Sequence, residues 1–122
     1  QMLADEPAPL GLGAGPAPDH MLLAAVANCL SASLLFSLQK FKQDPGALKA
    51  TATAEVGRNE NKRLRIMGIN VKLELGQAAA DIEHLDRVLA QFEEFCTVSM
   101  SVRQGIAINV QVQDGTGALL KG

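Results

Sequence analysis

A chain of 122 residues, 48% hydrophobic and 20% charged, is long enough for one domain with one core and too apolar to be disordered. Eleven basic against thirteen acidic residues leave a formal net charge of -2, so no strong positive field exists to attract a phosphate backbone, which weighs against nucleic acid as a partner. Trp and Tyr are absent and Phe occurs four times, so Leu, Ile, Val, Met and Ala must fill the core.

Residues 1–18 are rich in Pro and Gly, and only Gln1 to Ala4 have the character of a strand, one that reads as the second arm of a hairpin. The GLGAG at 11–15 resembles a phosphate-binding loop superficially, but it follows a DEP turn and lacks the strand-to-helix junction such a loop needs. A flexible link is expected there. Pro18 suits the first position of a helix and Asp19 adds negative charge to its first turn. From Met21 to Lys40 apolar residues fall on nearly every side, the pattern of a central helix covered by other elements. Its longest apolar run, Met21 to Leu35, contains Asn28, Cys29, Ser31 and Ser33 and falls short of the roughly 20 apolar residues of a membrane span, so a buried helix and no membrane association are expected.

The QDPG at 43–46 turns the chain. Leu48 to Val56 alternates with the period of a half-buried strand, with Leu48, Ala50, Ala52, Ala54 and Val56 on the inner face. After the polar turn 57–62, a second strand is expected from Arg63 to Leu75. Its apolar residues change parity between Ile66 and Ile69, so a bulge near Met67 and Gly68 is needed to keep both halves on the same core. Asp81 to Phe95 returns to helical spacing, with Ile82, Leu85, Val88, Leu89, Phe92 and Phe95 in one stripe and Cys96 at its end. A final strand, Ile106 to Val112, precedes a polar tail. Antiparallel pairing with the helices on one face is the arrangement this order suggests.

Two cysteines, Cys29 and Cys96, stand 67 positions apart and form neither a CxxC pair nor a zinc knuckle. The opening QMLADEP has no secretory character, so reduced thiols in the cytoplasm are expected. If both helices cover one face of a sheet, their contact can bring the two sulfurs together. Three readings stay open at this level: two buried hydrophobes, a redox pair, or a metal site that would also recruit His20 and His84 from distant points. A reactive thiolate needs a nearby cation or donor, and Arg103, seven residues after Cys96, is the one arginine placed to reach back. Glu93 and Glu94 are read as a solvated helix end or as groups orienting Cys96. No cofactor and no metal are expected.

Three segments carry a resemblance: DEPAPLGLGAGPAPDHMLLAAVANCL at 5–30, the two strands at 48–75, and FEEFCTVSMSVRQGIAINVQV at 92–112. In order and spacing they are similar to the OsmC and organic hydroperoxide resistance family of small homodimers. The resemblance implies an α+β fold, with an antiparallel or mixed sheet packed against two main helices, over a single domain, 1–122. It implies a cysteine-based hydroperoxide reductase in which Cys29 attacks the peroxide and Cys96 resolves the sulfenic acid, with a thiol or dithiol as reductant. The family's acidic partner falls on Asp19, shorter than the usual glutamate. A noncatalytic or differently catalytic small-molecule binding protein of the same family is the alternative. Three departures stand out: residues 1–28 hold no arginine or lysine for the family's N-terminal arginine, Thr97 stands where proline commonly follows the second cysteine, and about two N-terminal strands are expected to be missing or reduced.

Overall fold

The computed structural model describes residues 2–122. Ala17 has extended backbone and Pro18 opens helix α1, Pro18–Lys40, with Asp19 in its first turn as expected. The helix ends before QDPG. Lys42, with φ of 55°, donates from its amide to the Gln39 carbonyl while the Gln43 amide donates to Leu38, which satisfies carbonyls the helix would otherwise leave unpaired.

Val26, Leu30, Leu34 and Leu38 of α1 are completely buried. Each such side chain contributes about 1.5–3 kcal/mol of burial free energy. The opposite side, including Ala24, Ala25, Asn28, Ala32, Leu35 and Phe36, is exposed. The expectation of a helix covered on nearly every side therefore holds for one face. At 23 residues α1 is also long and apolar enough to cross a membrane by length and composition, contrary to the reading of its apolar run as too short. Its buried stripe lies against the sheet and the other helices.

Strands β1, Lys49–Arg58, and β2, Leu64–Glu74, pair antiparallel; β3, Ala107–Gln113, joins β2 in parallel, and β4, Leu119–Lys121, pairs antiparallel with β3. The sheet is therefore mixed, in the order β1-β2-β3-β4. Purely antiparallel pairing, suggested by element order alone, is corrected at β2 and β3. The helices between them supply the crossover that parallel neighbours require. Glu55 faces Gly68 and Val56 faces Ile66, so Met67 is the extra residue of a bulge where the parity of the apolar residues required one. Ile69, Val71, Leu73, Ile108, Val110 and Val112 face the core. Val56, beyond the bulge at the end of the sheet, is 54% exposed instead of turned inward. The other sheet face is polar, with Asn109 Nδ2 donating to Asn70 Oδ1 and Asn70 Nδ2 to Glu55 Oε1, both at 3.1 Å.

The helix expected over Asp81 to Phe95 is broken. A 3₁₀ turn at Ala79–Asp81 is followed by α2, Leu85–Gln91, a second 3₁₀ turn at Phe92–Phe95, and then α3, Thr97–Val102. His84 causes the first break: its φ of 61° is left-handed, and its ring stacks on Phe41 at 4.7 Å. Of the expected inner stripe, Ile82, Leu85, Val88, Leu89 and Phe92 are buried, whereas Phe95 is 59% exposed.

At the N-terminus residues 2–4 form no strand, and Gln1 lies outside the described residues. The Gly-rich segment is organised instead of a loose link, because the Asp5 carboxylate accepts amides from Glu6, Leu12 and Ala14. Those three donors hold its pKa below the ordinary value. A second carboxylate hub, Asp114, ties the turn between β3 and β4 to the 3₁₀ turn at Ala79. It accepts the amides of Ala79, Thr116 and Ala118 and the Thr116 hydroxyl. Gly115 fits against this hub because a side chain there would meet the Gly76 carbonyl oxygen at 2.5 Å.

Candidate active site

Cys29 sits in the fourth turn of α1, half-buried, at the border between its core-facing and exposed sides. Cys96 has extended backbone, φ -84° and ψ 99°, between the second 3₁₀ turn and α3, and it is completely buried. The short helical segments on either side of Cys96 pack on α1, and that contact brings Cys29 close enough to Cys96 for its thiol to influence the Cys96 thiol. Both are free thiols.

Burial pushes the Cys96 thiol above its ordinary pKa; the Ser99 hydroxyl and amide oppose that shift, and the adjoining Cys29 thiol reinforces it. Cys96 is thus a neutral thiol near pH 7. No cation is among the groups acting on it. Arg103 does reach back toward this segment, but its guanidinium engages Glu93 Oε1 at 2.6 Å. Glu93 and Glu94 divide accordingly: Glu93 is 15% exposed and carries two ion pairs, whereas Glu94 is exposed.

Asp19 is not at the sulfurs. Within one chain it lies ten residues before Cys29 on α1, about 15 Å away along the axis. Its Oδ1 accepts the His20 amide, and its side chain lines a shallow hollow with Val56, Leu64, Arg65 and Ile66. His20 is exposed in the first turn of α1 and His84 packs on Phe41, so the two histidines do not join the cysteines. Among the described residues no three His, Cys, Asp or Glu side chains converge as a metal-binding group.

Beside the Cys29 turn, on the exposed side of α1, lies an apolar cavity of about 480 Å³ lined by Met2, Pro16, Met21, Ala24, Ala25 and Asn28. Cys29 is not among its lining residues, but Ala25 stands one turn before it and Asn28 directly precedes it on α1. A larger hollow of about 580 Å³ between the first 3₁₀ turn and α2 touches neither cysteine.

Ser99 escaped the sequence reading. The Cys-x-x-Ser spacing was visible, but the short helix that turns Ser99 back toward Cys96 was not expected, so nothing marked the serine as a neighbour. It is completely buried, and its hydroxyl donates to the Cys96 carbonyl at 3.5 Å.

The family model for OsmC-like protein matches residues 11–111, a span that includes both cysteines. The chain belongs to that family. The fold agrees: an OsmC-like protein of Vibrio cholerae superposes with a TM-score of 0.71 at 17% identity, covering 87% of this chain and 70% of that one. The organic hydroperoxide resistance protein OsmC of Legionella pneumophila gives 0.67 at 16% identity, covering 84% and 72%. The organic hydroperoxide resistance protein OhrB of Bacillus subtilis gives 0.66 at 15% identity, covering 81% and 71%. No curated protein sequence matches the chain. As an OsmC-like chain, it holds a facing cysteine pair compatible with thiol redox chemistry.

Proposed function

We propose that this OsmC-like chain is a thiol-dependent peroxidase that reduces organic hydroperoxides in the cytoplasm, working as a homodimer of one domain over 1–122. The single observation that supports this reading best is the facing pair of free thiols, one half-exposed and one sealed. The Cys29 thiolate attacks the distal peroxide oxygen; the O–O bond breaks, the alkoxide takes a proton and leaves as the alcohol, and Cys29 becomes a sulfenic acid. The Cys96 sulfur then attacks the Cys29 sulfur, forming a disulfide and releasing water. An external dithiol reduces that disulfide, becoming a disulfide itself and returning both thiols.

Exposure supports this division of labour, because an oxidant can reach Cys29 but not Cys96. The apolar cavity whose lining ends at Ala25 and Asn28, within one turn of Cys29 on α1, supports a preference for an alkyl or aryl hydroperoxide over hydrogen peroxide, since that lining gains burial free energy only from an apolar tail. Asp19, about 15 Å from Cys29 within one chain, takes part only if the homodimer brings a second α1 alongside.

Steady-state assays with a dithiol reductant should show a higher kcat/KM for cumene hydroperoxide than for hydrogen peroxide, and no turnover after Cys29→Ser. Equal efficiency for the two peroxides would remove the preference for apolar substrates. The second reading, a binding protein without peroxidase turnover, draws on one observation: residues 1–28 hold no arginine or lysine to favour a Cys29 thiolate. It predicts oxidation of Cys29 no faster than that of free cysteine.

A further inference from the structure

Glu93 lies one helical turn before Cys96 and holds two cations at once. Its Oε1 accepts Arg103 Nη2 and its Oε2 accepts Lys121 Nζ, each at 2.6 Å. Arg103 immediately follows α3, the helix that begins after Cys96. Lys121 ends β4, and its ammonium also donates to the Leu89 carbonyl at 2.6 Å, at the C-terminal end of α2, and lies 5.4 Å from the centre of the Phe92 ring. One carboxylate therefore ties together the turn that leads into Cys96, the helix that leads out of it and the last strand of the sheet. Cys96 itself has extended backbone between two helical turns, so its position is set by what its flanks are attached to.

Charge-assisted bonds of this kind are roughly twice as strong as neutral ones. Both cations share a carboxylate that is largely shielded from water, a stronger arrangement than an isolated exposed pair. Among the described residues the exposed Glu94 next to it makes no such contacts, so the arrangement belongs to one residue and not to an acidic helix end.

We propose that Glu93 is a positioning residue: with Arg103 and Lys121 it clamps the Cys96 segment shut and keeps that sulfur aimed at Cys29. Its consequence for catalysis rests on the peroxidase reading above. In that reading the clamp governs the second step, capture of the sulfenic acid by Cys96, and leaves the first attack by Cys29 alone.

The clamp can be tested without peroxide. In a Cys29→Ser background, a neutral maleimide can reach the buried Cys96 only when its segment opens. Glu93→Gln should speed that labelling by about tenfold or more, with Glu93→Asp intermediate, because the shorter carboxylate keeps the charge but spans the two cations less well. Labelling of Cys29 in a Cys96→Ser background should stay unchanged by Glu93→Gln. No acceleration at Cys96, or equal acceleration at both cysteines as global loosening would give, overturns the proposal. The peroxide arm uses rapid quenching after one equivalent of cumene hydroperoxide: Glu93→Gln should form sulfenic acid at the parent rate and extend its lifetime about tenfold. An unchanged lifetime overturns the catalytic consequence. A parent protein that forms no sulfenic acid counts against the peroxidase reading alone, and the labelling result still decides the clamp.

Discussion

The two cysteines stand in opposite kinds of structure. Cys29 belongs to an unbroken helix of 23 residues whose hydrogen bonds fix its backbone, and α1 leaves its thiol half-buried beside an exposed apolar face. Cys96 interrupts helical structure, is fully buried, and depends on neighbours distant in sequence for its place. A regular element can display a reactive atom but cannot easily adjust it. A broken element can aim a buried atom, provided that side chains such as Ser99 and Glu93 hold the break in one shape.

The largest way to expose this contrast is to remove each sulfur in turn. Cys29→Ser should abolish reaction with a stoichiometric hydroperoxide, whereas Cys96→Ser should permit one reaction and leave a sulfenic acid at Cys29 that a dimedone adduct detects by mass. Identical behaviour of the two variants would erase the distinction between the sites.

Packing gives the next largest effect. Phe92 is completely buried in the 3₁₀ turn before Cys96, and Phe92→Ala should cost about 3–5 kcal/mol in denaturant unfolding. Leu30→Ala, next to Cys29, falls in the range of about 2–5 kcal/mol. Because α1 has its own helical hydrogen bonds, the Phe92 variant should also lose amide-exchange protection around residues 92–102 in preference to α1. Uniform loss of protection would show that the Cys96 segment is no less autonomous than the helix.

A smaller effect separates the thiols electrically. Ser99 opposes the rise in the Cys96 pKa caused by burial. Ser99→Ala should therefore move the Cys96 titration further upward, read from alkylation rate against pH in a Cys29→Ser background, and lower stability by about 1 kcal/mol through a lost buried hydrogen bond. A downward movement would contradict the assignment of Ser99 as the donor.

The smallest effect lies away from both sulfurs. Asp114 has its pKa lowered from 3.8 to about 2 by the Thr116 hydroxyl and the amides around it. A depressed carboxylate contributes stability in full above its unfolded value, and that contribution disappears as pH falls from about 4 toward about 2. Asp114→Asn should flatten the acid limb of a stability profile over that interval while leaving the thiol reactions unchanged. An acid limb as steep as that of the parent would show that another group carries it.

Legibility in the sequence follows the same contrast. The start of α1 was plain because Pro18 and Asp19 mark it, and the bulge at Met67 was plain because one parity change in an alternating strand has few other solutions. The breaks on the Cys96 side were not. The apolar stripe from Ile82 to Phe92 keeps helical spacing across a left-handed His84, so periodicity alone continues the helix. The six residues of α3 and the three of β4 are too short to establish a period, and β4 takes its place from pairing with β3 and from the Asp114 turn. The parallel pairing of β2 with β3 is a tertiary choice that strand patterns do not encode. At the site, the meeting of Cys29 with Cys96 was foreseeable from two packed helices, whereas the role that the family resemblance implies for Asp19 has no counterpart within one chain, where Asp19 stands ten residues before Cys29 on α1. Lys121 gave no local signal, since its partner Glu93 is far away in sequence and meets it only after β4 joins the sheet.

The most direct test of the account adds one equivalent of cumene hydroperoxide to the reduced protein, counts the remaining thiols and measures the intact mass. Rapid disappearance of both thiols with loss of two hydrogens, mapped to a Cys29–Cys96 disulfide, is the predicted result. Persistence of both thiols, or slow oxidation of Cys29 alone at the rate of free cysteine, would contradict it.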